Sequence, residues 1–210
     1  MQNLKATIIQ TALHWESIDE NLKMFGQKVS QIEDETDLIV LPEMFNTGFT
    51  MSSEKLAEEM DGKTMQWMKK IAEAKNCVVV GSLIINEDGN YYNRLIWMRS
   101  DGSYETYDKR HLFRMMDEHK CFSGGDKSIV VELNGWRICP LVCYDLRFPV
   151  LFRSLLEAKM QILAVPSAFT AITGSAHWDI LVRARAIENQ CYVIAAAQGG
   201  YHLYGRETHG

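Results

Sequence analysis

Short, almost purely apolar runs alternate along the chain with longer segments of mixed apolar and polar residues. The runs "DLIVLPE" (37–43), "CVVVGSLII" (77–85) and "ILAVPS" (162–167) are rich in β-branched residues, which is typical of strands covered on both faces. Patterns with helical spacing follow the first and third runs and predict helices over 64–75 and 176–190. This order of strand, helix and strand predicts an α/β protein.

The first residues add a strand and a helix to this pattern. "LKATIIQTAL" (4–13) predicts the first strand. Ser17 and Glu20 have the spacing of a capping box, which predicts a helix that ends near Glu35. A last strand is predicted over 191–198.

The middle of the chain predicts antiparallel strands. The turn sequences "EDGN" and "SDGS" lie on either side of 91–99 and precede 104–110, so we expect a meander there. An Asn-Gly turn within 128–143 predicts a hairpin, and a helix is predicted next over 150–158. The fold class is therefore α/β, with a mixed sheet or two sheets.

Two long segments, 42–62 and 111–126, resist regular assignment, and loops of that length are often functional. Three ionisable or nucleophilic residues lie where predicted strands end: Glu43, Lys109 and Cys143. Ligands of sheets with parallel strands bind beyond the carboxyl ends of the strands. We therefore expect these three side chains to share one site.

Each of the three side chains has a chemical role to offer at such a site. We expect Cys143, on a sharp strand-to-helix turn, to be a nucleophile whose thiolate is favoured by nearby backbone N–H groups. Glu43 in a partly buried site would have a raised pKa and could act as base and then as acid. Lys109 could stabilise an oxyanion. Taken singly, the three could also be a core cysteine, a surface glutamate and a lysine covering a strand.

Other chemistries have less support from the spacing of the residues. Cys139 and Cys143 could form a redox pair, but an extended strand separates them by about 13 Å, too far for a disulfide. His111, His119 and Cys121 match no tight metal-ligand motif, so we expect no metal. The sequence also allows a catalytic dyad of Cys143 with one of the histidines. It contains no glycine-rich nucleotide-binding motif, so nucleotide binding has no support.

Charge and cysteine content narrow the function classes. The 210 residues include 22 basic and 27 acidic ones, for a net charge of −5, and no basic run. This composition disfavours binding to nucleic acid or to a membrane surface. No apolar stretch approaches the ~20 residues that cross a bilayer. The five scattered cysteines and the absence of a signal-peptide pattern predict reduced thiols in a cytoplasmic protein.

Three stretches resemble, in order, the catalytic signatures of the nitrilase (carbon–nitrogen hydrolase) superfamily: "LIVLPEMFNTGF", "YDKRHLF" and "PLVCYDLRFP". "FSGGD" and "AHWDILVRARAIENQCYVIAAAQ" extend the resemblance over nearly the whole chain. It implies a single domain over 1–210, a four-layer α-β-β-α sandwich, and catalysis without metal or organic cofactor.

The resemblance also implies a role for each matching residue. Glu43 matches the general base, Lys109 the oxyanion stabiliser and Cys143 the nucleophile of the family. Glu118 in "MMDEHKCFSGG" matches a second glutamate that positions substrate and lysine. The backbone N–H of Tyr144 would complete the oxyanion hole.

Within the superfamily, the two halves of the chain resemble different branches. "EMFNTGFTM" and "YDKRHLFRM" are most similar to bacterial ω-amidases, which hydrolyse the terminal amide of 2-oxoglutaramate and 2-oxosuccinamate. The half after Ala164 is closer to the Nit branch, which includes the amidase of deaminated glutathione. We expect a small carboxylate-bearing amide as substrate, with Arg147 or Arg114 for the far carboxylate. Arg147 could equally be structural and tied to an acid.

The resemblance implies a homodimer, and the ending "GRETHG" is expected to lack the usual C-terminal strands and arm of the family. The alternatives to an ω-amidase are the deaminated-glutathione amidase, an enzyme acting on nitriles, and a catalytically idle scaffold of the same fold.

Overall fold

In the computed structural model, residues 3–153, 159–169, 171–201 and 207–208 are described. Two mixed sheets form the interior. The first has the order β1-β2-β3-β4-β5, with β1 Ala6–Ile8, β2 Leu38–Val40, β3 Val78–Glu87, β4 Asn90–Met98 and β5 Tyr104–Asp108. The second has the order β6-β7-β8-β9, with β6 Val131–Leu133, β7 Trp136–Pro140, β8 Ile162–Ser167 and β9 Tyr192–Ala197. A short pair, β10 Gly200–Tyr201 and β11 Glu207–Thr208, is separate from both sheets.

Each sheet combines a parallel half with an antiparallel half. Strands β1, β2 and β3 are parallel, and β3, β4 and β5 form the predicted antiparallel meander. In the second sheet β6 and β7 form the predicted hairpin, whereas β7, β8 and β9 are parallel. Six α-helices are described: α1 Ile18–Ser30, α2 Ser53–Leu56, α3 Lys63–Lys75, α4 Glu118–Cys121, α5 Pro149–Arg153 and α6 Ala171–Asn189.

The apolar run of β2 shows why both sheets are buried on two faces. Leu38 and Val40 belong to the core between the two sheets, whereas Ile39 packs in a second core, against α1 and α3. Successive side chains of a strand point to opposite faces, so every position of such a run needs an apolar residue. The other helical layer is α6, which packs on β9. The layers are therefore α-β-β-α, and the predicted fold class is confirmed.

Helix α1 differs from its prediction at both ends. The Ser17 side chain makes no capping hydrogen bond; Asn21 instead binds the backbone N–H and C=O of His14 at 2.8 and 2.7 Å. The helix ends at Ser30 rather than near Glu35. The residues that follow include an acidic run at 33–35, and negative charge is unfavourable at a helix C-terminus.

Two later helices also differ from their predictions. Helix α6 begins at Ala171, five residues before the predicted start at 176. The glycine at position 174 lies inside it, which costs only about 1 kcal/mol relative to alanine and is outweighed by packing. Of the helix predicted over 150–158, residues 154–158 lie outside the described residues.

The two long segments remain mostly irregular, with α2 in the first and a 3-10 turn, Arg114–Met116, together with α4 in the second. Within the described residues, no helix combines the length and apolar character needed to cross a membrane.

Candidate active site

The ends of three strands bring the predicted residues together in one buried cluster. Glu43 follows β2, Lys109 follows β5, and Cys143 opens a 3-10 turn, Cys143–Arg147, after β7. Glu118 is the first residue of α4. Glu43 and Glu118 are 0% exposed, Lys109 is 1% exposed and Cys143 is 8% exposed.

Lys109 lies between the two carboxylates. Its Nζ is 2.7 Å from Glu43 Oε1, and 3.0 and 2.8 Å from the two carboxylate oxygens of Glu118. Burial alone disfavours the ammonium, but the charges of Glu118 and Glu43 outweigh it and raise the pKa of Lys109 above its usual value. The lysine is thus a fixed positive charge, which also lies 5.1 Å from the centre of the Phe49 ring.

Glu43 has one satisfied and one free carboxylate oxygen. Oε1 accepts hydrogen bonds from Lys109 and Asn93, whereas Oε2 is buried and has no hydrogen-bond partner among the described residues. Burial raises the pKa of Glu43 and the charge of Glu118 adds to this, with Lys109 opposing both. Cys143 is close enough to Glu43 to act on the same pKa, which it lowers. A buried, unpaired oxygen beside a thiol is suited to accept a proton.

Cys143 lies on a strained turn, with a backbone φ of +42°. Few residues other than glycine adopt this left-handed conformation, and it is enriched at functional sites. Burial and the charge of Glu43 raise the pKa of the thiol well above its usual value. Lys109 and the backbone N–H of Ala168, 3.5 Å from Sγ, act in the opposite direction but do not prevail. The N–H of Ala168 therefore favours the thiolate, in the direction expected from the sequence, whereas burial and Glu43 favour the thiol more strongly.

Asn93 is part of the cluster and was missed in the sequence. From β4, its Nδ2 donates to Glu43 Oε1 at 2.8 Å and to Glu118 Oε1 at 3.0 Å. The backbone N–H of Phe113 also donates to Glu118, at 2.5 Å. The available signal was an asparagine that directly precedes Arg94 and the apolar half of a strand, because a polar side chain buried there needs a polar partner.

Tyr144 and Arg147 lie on the same turn as Cys143. The N–H of Tyr144 is second in the turn, a position without a partner inside its own helix. The Arg147 guanidinium lies 5.6 and 5.5 Å from the ring centres of Tyr144 and Phe169. One of its terminal nitrogens is 3.0 Å from Nδ1 of His177, and its Nε is buried without a partner in the described part of the chain.

The surroundings of Arg147 bear on its two interpretations. Among the described residues it forms no ion pair with a carboxylate. Arg114 is exposed and does not line the cleft. The turn itself is held from α6, where Arg185 Nε donates to the carbonyl of Leu146 at 2.7 Å.

A small cleft, partly open to solvent, lies beside the thiol. Its walls are aromatic, with the cysteine, the lysine and one arginine as the polar groups: Phe49, Lys109, Phe113, Cys143, Tyr144, Arg147, Ala168 and Phe169. Apolar walls with a few converging polar groups are typical of small-molecule sites.

The residues of the other sequence hypotheses have different surroundings. Cys139 is fully buried in β7, is not in a disulfide, and has its pKa raised by burial. His111 Nδ1 lies 2.8 Å from Asp145, and its ring stacks on Phe148. Within the described ranges, no three His, Cys, Asp or Glu side chains are grouped so as to hold a metal ion.

Comparison with known proteins gives concordant matches over almost the whole chain. The sequence model of the family described as "Carbon-nitrogen hydrolase" matches residues 5–210, a range that includes every candidate residue above. Omega-amidase YafV of Escherichia coli (strain K12) is 40% identical over 200 residues, 95% of this chain and 76% of that protein. A deaminated glutathione amidase of Yersinia enterocolitica is 31% identical over 237 residues, 100% of this chain and 78% of that protein.

A solved structure is similar over the same extent. XC1258 from Xanthomonas campestris, a CN-hydrolase superfamily protein whose crystal structure has an arsenic adduct in the active site, superimposes with a TM-score of 0.94. It is 34% identical, and the alignment covers 99% of this chain and 80% of that one.

We expect Glu43→Gln to change how stability depends on pH. Because the folded pKa of Glu43 is raised above its ordinary 4.5, the folded protein binds this proton more readily than the unfolded chain. The free energy of unfolding of the wild type therefore decreases as the pH rises from 4.5 to the folded pKa of Glu43. The variant has no titrating group at this position, so its free energy of unfolding lacks this decrease. The glutamine fits, because its amide NH₂ can replace the unpartnered Oε2.

Urea unfolding at a series of pH values measures this difference. The free energy of unfolding of the variant minus that of the wild type should increase from about pH 4.5 upward and then level off. Glu73→Gln in α3 is the matched control, since its side chain is exposed to water. A difference that grows on acidification instead would contradict the raised pKa.

Proposed function

Because the chain belongs to the carbon–nitrogen hydrolase family, we propose that it is an ω-amidase, which hydrolyses the terminal amide of 2-oxoglutaramate or 2-oxosuccinamate. The observation that carries this proposal is the buried ammonium of Lys109, bound by Glu43 and Glu118 beside the thiol of Cys143. A thiol, a base and a fixed cation in contact are the groups that thioester chemistry requires.

In the first half of the reaction the amide is converted to a thioester. Glu43 Oε2 takes the thiol proton as Cys143 Sγ attacks the amide carbon. The Lys109 ammonium and the backbone N–H of Tyr144 stabilise the oxyanion, and one such donor is worth about 3 kcal/mol. The C–N bond then breaks, the nitrogen takes the proton from Glu43, and ammonia leaves.

In the second half the thioester is hydrolysed. Glu43, again a carboxylate, accepts a proton from a water molecule that attacks the thioester carbon. The C–S bond breaks, the proton returns to sulfur, and the carboxylic acid is released. Since one group acts as base and acid in turn, its pKa has to lie near the working pH, and the raised pKa of Glu43 suits this role.

Glu118 and Asn93 serve as positioning residues in this mechanism. Glu118 holds Lys109 with both carboxylate oxygens, and Asn93 binds Glu43 and Glu118 through one nitrogen. These contacts keep the lysine charged and leave only Oε2 of Glu43 free for the proton. A catalytically idle scaffold has no use for this arrangement, because a buried ion pair is often less stabilising than an apolar core.

The cleft supports a small substrate with a carboxylate at its far end. Arg147 is the cation at the wall, and its buried Nε lacks a protein partner among the described residues. Aromatic side chains line the same cleft as Arg147 and Cys143. The greater similarity to the ω-amidase than to the deaminated-glutathione amidase favours the shorter amide, and nitriles enter the panel below as the remaining alternative.

We also propose that the protein is a cytoplasmic homodimer. All five cysteines are free, which suits a reducing compartment. The described parts of α5 and α6 expose three large apolar side chains: Val150 at 79%, Ile180 at 66% and Ile187 at 77%. Because apolar surface of this kind is stabilised by being covered, we assign the dimer contact to this face.

The amidase proposal is tested by ammonia release from 2-oxoglutaramate, 2-oxosuccinamate, deaminated glutathione and a small nitrile. We expect turnover of the two short keto-acid amides by the wild type and its loss in Cys143→Ala, because no thioester can form. Cys139→Ala is the matched control and should stay active. Loss of activity in both variants would favour the redox pair, and preference for deaminated glutathione would assign the other branch.

The role of Arg147 is tested with a charged and a neutral amide. Arg147→Ala should raise the KM for 2-oxoglutaramate about tenfold or more, the size of a lost hydrogen bond to a charged group. Hydrolysis of a neutral amide such as propionamide should change little, and Arg114→Ala should behave as the wild type. If Arg147→Ala impaired hydrolysis of both amides equally, Arg147 would not bind the substrate carboxylate.

The dimer contact is tested by light scattering at micromolar concentration. The wild type should have twice the chain mass of 24.0 kDa, and Ile187→Asp should be a monomer, because a charge cannot be buried unpaired in the contact. Met115→Asp is the matched control, since Met115 is 79% exposed, close to the 77% of Ile187, but lies outside α5 and α6. A monomeric wild type, or a dimer of Ile187→Asp, would refute this assignment.

A further inference from the structure

A second buried carboxylate cluster lies next to the site and has no part in the mechanism above. Asp145 is 0% exposed and lies two residues after Cys143. Its Oδ2 accepts hydrogen bonds from the hydroxyl of Tyr107 at 2.8 Å and from the backbone N–H of Val142 at 3.3 Å. Its Oδ1 accepts from the backbone N–H of His111 at 3.0 Å and lies 2.8 Å from His111 Nδ1.

The partners of Asp145 are placed symmetrically about Lys109. Tyr107 is two residues before the lysine, at the end of β5, and His111 is two residues after it. Asp145 itself belongs to the turn that follows β7, in the other sheet. One carboxylate therefore ties both flanks of the Lys109 segment to the turn that carries Cys143.

We propose that Asp145 is a positioning residue, which fixes the Lys109 ammonium relative to Cys143 Sγ by binding Tyr107 and His111. Its catalytic consequence rests on the proposed amidase function, but its effect on the thiol can be measured without any substrate.

Asp145 serves its partners as an acceptor. The backbone N–H groups of Val142 and His111 and the hydroxyl of Tyr107 donate to it, and the His111 ring donates to it when its proton is on Nδ1. The His111 ring is held in this orientation by stacking on Phe148, with centres 3.7 Å apart and planes at 8°. Four bonds to one carboxylate define the position of both segments more tightly than a single bond would.

The readout is the rate at which iodoacetamide alkylates Cys143, followed by mass spectrometry of the Cys143 peptide. Lys109 lowers the thiol pKa, so a displaced lysine leaves less thiolate at a given pH. We expect Asp145→Asn to slow alkylation about tenfold, which corresponds to about one pKa unit. Asparagine keeps the size of the side chain but cannot accept all four bonds.

A double-mutant cycle with Lys109→Gln separates positioning from general loosening of the fold. If Asp145 acts through the lysine, Asp145→Asn has no further effect on alkylation once the lysine is replaced. Asp108→Asn is the matched control, because it also removes a carboxylate next to Lys109, but one that binds Arg94 and not Tyr107 or His111. Cys143 in this variant should be alkylated at the wild-type rate.

Two results would overturn the proposal: a wild-type alkylation rate in Asp145→Asn, or effects of Asp145→Asn and Lys109→Gln that simply add. Should Asp145→Asn fail to fold, Tyr107→Phe and His111→Asn each remove one side-chain contact of the cluster. We expect both to slow alkylation, and wild-type rates in both would equally refute it. If the protein released ammonia from no amide, the proposed amidase function would be contradicted. The alkylation rates would still test the role of Asp145, because they are measured without substrate.

Discussion

The site depends on one interaction, the ammonium of Lys109 held between two buried carboxylates. Removing such charges from water costs several kcal/mol per ion, and only close contacts with good geometry offset that cost. Here the offset comes from three oxygen contacts to Lys109 within 3.0 Å and from the amide of Asn93, which supports both carboxylates. Because Glu43, Glu118 and Lys109 come from separate segments, none of these segments can shift without leaving a charge unpaired.

The need to hold these groups in close contact explains why the site uses two sheets. Glu43 and Lys109 follow strands of the first sheet, and Cys143 follows a strand of the second. Residues such as Trp97 and Leu163 fill the core between the sheets and set their separation. The distance between thiol and base is thus determined by apolar packing, and polar contacts such as those of Asp145 refine it.

Much of this arrangement could be predicted from the sequence, because its signals are local. The all-apolar run of β2 indicates a strand buried on two faces, and the strand ends identified Glu43, Lys109 and Cys143 as neighbours. Asn93 and Asp145 could not be found in this way. A polar residue in a buried strand or turn gives no sign of its partners, which lie far away in the sequence. The raised pKa of Cys143 could not be predicted for the same reason, since its causes are burial and the charge of Glu43.

The raised pKa values of Glu43 and Cys143 are consistent with each other once charge is counted over the whole cluster. With Lys109 positive, both glutamates negative and the thiol neutral, the buried groups carry one net negative charge. Ionising Cys143 by releasing a proton to solvent would add a second one, in a place where charge is expensive. Transfer of the proton to Glu43 leaves the net charge unchanged and only moves it from oxygen to sulfur. A buried thiol of high pKa can therefore still attack, provided that its proton goes to the adjacent carboxylate and that Lys109 stays in place to stabilise the charge wherever it lies.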